Sequence, residues 1–236
     1  MKNAKKTIIW VSLFAIAMGF MESSVVIYLR QIYYKDGFQF PLRVIDAFIG
    51  RVEFIREFAT IIMLIAIGFM AGKTKLQRFA YFVFAFAIWD LFYYIFLYLF
   101  LAWPSSLSTW DILFLIPVPW VGPVWAPCLL SLLMITGSLY TILQIEKDKY
   151  FRIHPLHWWM LISGAFVCIV SFMWDYLEFS YHKNQIWTIA SKNEMFTEIQ
   201  NYIPTQFNNT LFFIGFIPMC VSIFISILKT KNYKHI

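Results

Sequence analysis

Six long apolar runs constrain the fold of this chain more than any other feature of its sequence. Each run has about the 20 residues that an α-helix needs to cross the ~30 Å hydrocarbon core of a bilayer. Because unpaired backbone groups are costly in hydrocarbon, such runs cross as helices. We therefore predict an all-α, polytopic membrane helix bundle that forms one transmembrane domain over residues 1–236. The predicted spans are about 8–29, 50–71, 79–103, 124–145, 155–178 and 208–228, and an outer loop over 180–207 is predicted to hold a surface helix near 191–202.

The charges fit a membrane protein better than a nucleic-acid-binding one. The net charge is +6, but only 14% of the residues are charged, and the basic ones cluster at the ends of apolar runs. Basic residues in that position set membrane orientation. Twelve of the 19 lysines and arginines fall on the side that holds both termini. We therefore expect both termini in the cytoplasm and no nucleic-acid partner.

The segment 103–127 is too apolar for an exposed loop and too rich in proline for a helix. Pro117, Pro119, Pro123 and Pro127 lie in its second half, and Asp111 is the one charge between 111 and 127. Each proline lacks a backbone donor and clashes with the preceding turn, so a continuous helix is excluded. We predict an interfacial or re-entrant piece packed on other helices. The alternative is an apolar outer loop followed by a helix whose first turn contains proline.

Acidic residues are gathered in the spans and on the outer side, with Glu146 and Asp148 as the cytoplasmic exceptions. A carboxylate inside a span costs roughly 2.5–3.5 kcal/mol on insertion scales, so it should face the interior of the bundle. We expect Glu22, Arg56 and Glu57 to line a polar cavity in the outer half of the bilayer, with Asp90 and Asp175 as further lining residues. The alternative is structural: a helix-locking ion pair of Arg56 with Glu22 or Glu57, and a tyrosine hydroxyl that binds Asp90.

Two functional classes fit this arrangement, and a third is structural. The first is an enzyme that acts on a lipid or other apolar substrate by carboxylate acid–base chemistry or through a carboxylate-bound divalent cation. The second is a small cation- or proton-coupled transporter, and the third a non-catalytic membrane subunit. The predicted partners are membrane lipids and a lipidic small-molecule substrate. No metal-ligand set, cofactor or oligomeric state is predicted. The candidate residues are Glu22, Glu57, Asp90 and Asp175 for catalysis, and Arg56, Tyr93, Tyr94, Asp111 and Trp120 for substrate binding.

Three blocks carry a resemblance: MESSVVIYLR, REFATIIML and WDILFLIPVPWVGPVWAP. They resemble segments of uncharacterised bacterial multi-pass membrane proteins over roughly the first two thirds of the chain. The resemblance implies a bacterial inner-membrane location and no particular activity. A Trp-Asp pair in a span followed by a proline-rich apolar run is also similar to membrane lycopene cyclases. The paired-glutamate motif of that family is absent after these prolines, so none of its residues is transferred to this chain.

Overall fold

The computed structural model describes residues 2–34, 37–43, 46–148, 150–182 and 201–232. Within these ranges six helices are long and apolar enough to cross a membrane, and together they form an all-α polytopic bundle. The prediction of the fold class is therefore confirmed. The predicted surface helix near 191–202 lies outside the described residues, apart from its last two positions. The helices are α1 (Lys2–Tyr33), α2 (Ala47–Ala71), α3 (Lys75–Leu101), α4 (Trp125–Lys147), α5 (Pro155–His182) and α6 (Asn209–Asn232).

The helices begin and end where the sequence provides caps. The Asp46 carboxylate accepts a hydrogen bond from Phe48 N at 2.8 Å and so begins α2. The Thr74 hydroxyl accepts from Gln77 N at 3.2 Å and begins α3. Ala102 follows α3 in the left-handed conformation, with φ of 49°. Since such caps satisfy the free backbone groups of a helix end, they place the helix boundaries close to the edges of the apolar runs.

The proline-rich segment forms a two-stranded antiparallel hairpin. Strand β1 (Trp110–Phe114) pairs with β2 (Trp120–Pro123), and Ile112 lies opposite Val121. A hairpin satisfies backbone groups without a helix, and it leaves Pro117 and Pro119 in the turn, where no donor is needed. The exclusion of a continuous helix is therefore correct, and the ordered pairing of two strands was not anticipated.

The hairpin also begins α4. Trp125 N donates to the carbonyl of Leu107 at 2.8 Å, and Val124 N donates to the carbonyl of Thr109 at 3.0 Å. No side chain caps this helix, so these carbonyls satisfy backbone donors at its start. Pro127 lies in the first turn, where its missing N–H costs nothing. The hairpin and α4 therefore form one continuous unit.

The helices pack in two groups that meet at the hairpin and along α4 and α6. Helix α3 packs against α1, α2 and α4, while α5 packs against α6, and strand β2 packs against α5. The α5–α6 crossing is close because glycine faces glycine there. A Cβ added at Gly215 would lie 2.6 Å from the carbonyl oxygen of Gly164. Small residues at a helix crossing let the backbones approach, which is the usual way that membrane helices gain packing.

The long connections of the chain lie at one end of the bundle. Here α1, α3 and α5 end, and loop 37–43, the hairpin and residues 201–208 contact one another. The Phe40 ring lies 6.3 Å from the Tyr202 ring, and Phe38 lies 6.0 Å from Trp103. We call this end the hairpin end. The opposite end has the short connections 72–74 and 148–154. Side chains from several elements therefore come together at the hairpin end.

Candidate functional site

Arg56 on α2 binds two carboxylates at once. Its Nη1 donates to Glu22 Oε1 and Oε2 on α1, both at 2.5 Å, and its Nε donates to Glu53 Oε2 at 2.7 Å. The side chains of Arg56 and Glu22 are 23% and 13% exposed. Glu22 and Arg56 are therefore in direct contact. This geometry agrees with the alternative of an ion pair that locks α1 to α2.

Glu57 does not share this ion pair. Its Oε2 accepts a hydrogen bond from the backbone amide of Leu115, which follows strand β1, at 3.0 Å. Glu57 therefore ties α2 to the turn of the hairpin. A carboxylate that accepts from a backbone amide satisfies a donor that the irregular turn leaves free. Glu57 lies within electrostatic reach of Arg56 and Glu22, so the three side chains are neighbours with different hydrogen-bond partners, and a cavity lined by all three stays a prediction.

Asp90 on α3 is held by α4. Its Oδ2 accepts a hydrogen bond from the Ser131 hydroxyl at 2.8 Å. The partner is therefore a serine, whereas the structural alternative predicted from the sequence was a tyrosine hydroxyl. Ser131 is 1% exposed. Asp90 also lies within electrostatic reach of Asp111 in the hairpin. The two aspartates thus lie in the same region between α3, α4 and β1.

Asp111 pairs with Arg30, a residue that the sequence analysis did not select. Arg30 Nη2 lies 3.7 Å from Asp111 Oδ1, and the two side chains are 8% and 3% exposed. The Arg30 guanidinium lies over two aromatic rings, 4.4 Å from the centre of Phe38 and 3.8 Å from that of Trp103. Cation–π contacts of this kind stabilise an arginine that has left water. A loop, the end of α3 and the hairpin therefore enclose the end of α1.

Three polar atoms in this enclosure have no partner among the described residues. They are Arg30 Nη1, Asp111 Oδ2 and the Tyr94 hydroxyl. The Tyr94 ring stacks on Trp103 at 6.4 Å, and its hydroxyl lies near the Asp111 carboxyl without the geometry of an ordinary hydrogen bond. A buried polar atom without a partner costs about 1–3 kcal/mol, which favours a bound polar group at such a place. We call these three side chains the Arg30–Asp111–Tyr94 site.

The Asp111 carboxyl titrates closer to neutrality than an ordinary aspartate. Burial raises its pKa to about 6, while Arg30, the Ile112 amide and the Tyr94 hydroxyl hold the pKa down. Burial disfavours the charged form because the surrounding protein solvates a carboxylate less well than water does. The outcome is a carboxyl that can both hold and release a proton near neutral pH.

Asp175 on α5 is fully occupied by a neighbouring segment. Its Oδ2 accepts from the Tyr202 hydroxyl at 2.5 Å and from Thr205 N at 3.2 Å. Its Oδ1 accepts from the Thr205 hydroxyl at 2.7 Å and from Gln206 N at 3.1 Å. Four donors on one buried carboxylate indicate an anchor for residues 202–206, and they leave little capacity for proton transfer.

A cavity of about 640 Å³ lies beside Asp175, between the end of α5, residues 203–208 and the start of α6. Trp174, Glu178 and His182 line it from α5. Glu22, Arg56 and Glu57 do not line it. This cavity therefore does not bring Asp175 together with the acids of α1 and α2, and a hollow shared by all of them stays a prediction.

The remaining predicted binding residues lie near the hairpin. Tyr93 packs against Tyr94 with ring centres 4.9 Å apart. The Trp120 ring stacks on Phe172 at 6.5 Å, and its indole N–H is buried without an acceptor among the described residues. Arg30 was missed because a basic residue at the end of a span is usually an orientation signal. The sequence feature that could have identified Arg30 is its position seven residues after Ser23. This spacing places both side chains on one face of α1, and both are buried.

The described part of the chain contains no group of three or more histidine, cysteine, aspartate or glutamate side chains suited to hold a metal ion. Comparisons with protein-family models, with curated proteins and with solved structures found no match. The function must therefore be argued from the chemistry of the Arg30–Asp111–Tyr94 site.

Proposed function

We propose that this protein is an enzyme of the bacterial inner membrane that acts on a lipid or another amphiphilic substrate, with Asp111 as its acid–base group. The observation that carries the proposal is that Arg30 Nη1, Asp111 Oδ2 and the Tyr94 hydroxyl, on three neighbouring side chains, are all buried without a partner among the described residues. These atoms come from α1, the hairpin and α3. Convergent polar groups inside an apolar enclosure are typical of sites that bind small molecules.

The chemistry of the three groups suits proton transfer. A carboxyl whose pKa is about 6 exchanges its proton near neutral pH, which is where a general acid or base is most effective. In the proposed step Asp111 Oδ2 accepts the proton of a substrate hydroxyl as that oxygen forms a bond to an electrophilic carbon of a second lipid group. The leaving oxygen of that group departs with its bonding electrons and takes the proton back from Asp111. Arg30 Nη1 and the Tyr94 hydroxyl donate hydrogen bonds to the attacking oxygen and stabilise the negative charge that develops on it.

The surroundings suit a substrate that has an apolar part. Phe38 and Trp103 lie on the Arg30 guanidinium, and the Tyr94 ring stacks on Trp103. Aromatic rings offer large apolar surfaces to a hydrocarbon chain. Exposed apolar side chains on the outer faces of the helices suit direct contact with lipid. The substrate would reach the site from the lipid and not from water.

A lipid-conversion assay tests the proposal. The full chain is purified, reconstituted into vesicles of a total bacterial lipid extract, and the lipid species are followed by mass spectrometry. We expect the wild type to consume at least one species, and Asp111→Asn to be slower by about 10²–10⁴-fold, the usual contribution of acid–base catalysis. Asp148→Asn is the matched control, because Asp148 is exposed at the end of α4. An unchanged lipid profile with the wild type would overturn the proposal, as would full activity of Asp111→Asn.

A non-catalytic membrane subunit is the second candidate. It is favoured by the observation that Glu22, Glu57 and Asp90 each have a protein partner. In that case these carboxylates only join helices, and no lipid species would change in the assay. Substitution of Asp111 would then alter stability alone.

We also propose that both termini are cytoplasmic and that the hairpin end faces outward. The connections opposite the hairpin end carry Lys73 and Arg152, as the positive-inside rule requires of the cytoplasmic side. A reporter fused after Ile236 should be active only in its cytoplasmic form. Activity of a periplasm-dependent reporter at the same position would reverse the proposed topology.

A further inference from the structure

The Arg30–Asp111 pair is electrically balanced and offers one donor beside one acceptor. Arg30 Nη2 faces Asp111 Oδ1, so the positive and negative charges already compensate each other. What remains is a free donor, Nη1, and a free acceptor, Oδ2. A group that complements this pair must accept one hydrogen bond and donate another. A hydroxyl does both, whereas a fully ionised phosphate or carboxylate can only accept.

The charges around the pair argue against an anion. Arg30 is the cation that acts on Asp111, and Asp90 adds a further carboxyl from α3. Sites for phosphate usually present several donors with excess positive charge, often from more than one arginine or lysine. An anionic group here would compete with the Asp111 carboxylate for the Arg30 guanidinium.

The desolvation of a bound headgroup also favours an uncharged group over an anion. Arg30 and Asp111 are 7% and 2% exposed, and aromatic rings cover the guanidinium. A charged headgroup brought into such surroundings loses its hydration, and the Arg30 charge that could compensate that loss is already paired with Asp111. A hydroxyl loses far less, and it can recover its hydrogen bonds from Arg30 Nη1, Asp111 Oδ2 and the Tyr94 hydroxyl.

We infer that the Arg30–Asp111–Tyr94 site binds the uncharged hydroxyl of an amphiphile and discriminates against amphiphiles whose headgroup is a phosphate or carboxylate. This inference rests on the proposed function, and it names the substrate class of the same site. The hydroxyl oxygen accepts from Arg30 Nη1, and its proton is directed at Asp111 Oδ2. Tyr94 supplies the second donor to that oxygen. Binding in this orientation places the substrate proton on the atom that would remove it.

Three amphiphiles with the same acyl chain separate the possibilities. A monoacylglycerol carries two free hydroxyls, its diacetate ester has none, and a lysophosphatidic acid keeps one hydroxyl and carries a phosphate in place of the other, so it tests whether the phosphate prevents binding. Each is titrated onto the purified full chain in detergent, and the thermal unfolding midpoint is recorded, because a ligand that binds the folded state raises it. We expect the monoacylglycerol to raise the midpoint and the other two to leave it unchanged.

Conservative variants test whether monoacylglycerol stabilises the protein by binding at the Arg30–Asp111–Tyr94 site. Tyr94→Phe should weaken the binding of monoacylglycerol by about tenfold, the value of one net hydrogen bond. Tyr98→Phe should not change it, since Tyr98 lies one turn further along α3 and is 61% exposed. The midpoint of each variant without ligand provides its own reference, so a loss of stability is not mistaken for a loss of binding.

The outcomes distinguish the inference from the proposed function. Stabilisation by lysophosphatidic acid that disappears in Arg30→Gln would overturn the preference for a neutral hydroxyl and keep the site. Stabilisation by none of the three, or stabilisation that Tyr94→Phe and Asp111→Asn leave intact, would overturn the hydroxyl site itself. Lipid conversion that depends on Asp111 would in that case still support the enzyme, with a substrate of another class.

Discussion

Removal of Arg56 should destabilise the protein more than removal of either of its carboxylate partners. Arg56 binds Glu22 through Nη1 and Glu53 through Nε. Arg56→Gln deprives both carboxylates of their cation. Glu22→Gln leaves Arg56 paired with Glu53, and the new amide oxygen can still accept a hydrogen bond. The three-membered arrangement therefore predicts an asymmetry that a simple two-residue ion pair would not produce.

The burial of these side chains sets the magnitude. Arg56, Glu22 and Glu53 are 23%, 13% and 14% exposed. Removal of one partner from a buried ion pair costs about 3–5 kcal/mol, because an uncompensated charge remains out of water. We expect a loss in that range for Arg56→Gln. For Glu22→Gln we expect about 1–2 kcal/mol, close to the value of a hydrogen bond to a charged group.

The assay is equilibrium unfolding in mixed micelles, with tryptophan fluorescence as the signal and circular dichroism to check the helix content. Arg51→Gln is the matched control, because Arg51 lies on the same helix and is exposed. Its free energy of unfolding should stay within about 0.5 kcal/mol of the wild type. Equal losses for Glu22→Gln and Arg56→Gln would refute the reasoning, and so would an Arg56→Gln variant as stable as the control.

Three further predictions concern other parts of the molecule. Asp175→Asn should lower the free energy of unfolding by about 2–4 kcal/mol, because the amide group cannot accept hydrogen bonds from all four donors. A urea midpoint equal to that of wild type would contradict this prediction. Gly215→Ala should lower the free energy of unfolding by about 1–3 kcal/mol, because the added Cβ would lie 2.6 Å from a backbone oxygen. Gly137→Ala should lower it less, because its Cβ would meet only the flexible end of the Ile223 side chain. If Gly137→Ala were the less stable variant in thermal unfolding, the close α5–α6 crossing would be disproved. Since burial raises the pKa of Asp111 to about 6, its protonated form is favoured in the folded state, and its contribution to stability falls as the pH rises from about 4 to 6. Between pH 4 and 7 the wild type should therefore lose on the order of 3 kcal/mol more than Asp111→Asn, and parallel pH profiles of unfolding would exclude the raised pKa.

The membrane spans could be predicted because they depend on local properties. An apolar run of sufficient length becomes a helix in lipid whatever its neighbours are, so the predicted spans lie close to the observed helices. The hairpin depends on pairing between two short segments. Pro117 and Pro119 rule out a helix from sequence alone, but they do not identify Val121 as the residue opposite Ile112. Register of that kind is set by tertiary packing and turn geometry.

The site was only partly predictable for the same reason. The contact of Glu22 with Arg56 follows from two opposite charges in apolar runs, and the sequence analysis included it as an alternative. The partner of Glu57 is the backbone amide of Leu115, and a backbone group carries no signal in the side-chain sequence. Asp111 was selected as a lone charge in an apolar segment. Its partner Arg30 was not, because an arginine at a span boundary resembles an ordinary orientation signal.

An experimental structure of the protein in lipid tests the central claim most directly. We predict density for a bound polar group within hydrogen-bond distance of Arg30 Nη1 and Asp111 Oδ2, with the Tyr94 hydroxyl directed at the same group. If Arg30 and Asp111 instead form a two-pronged ion pair that satisfies both atoms, with Tyr94 closed against the carboxylate and no room for a third group, the proposed site does not exist.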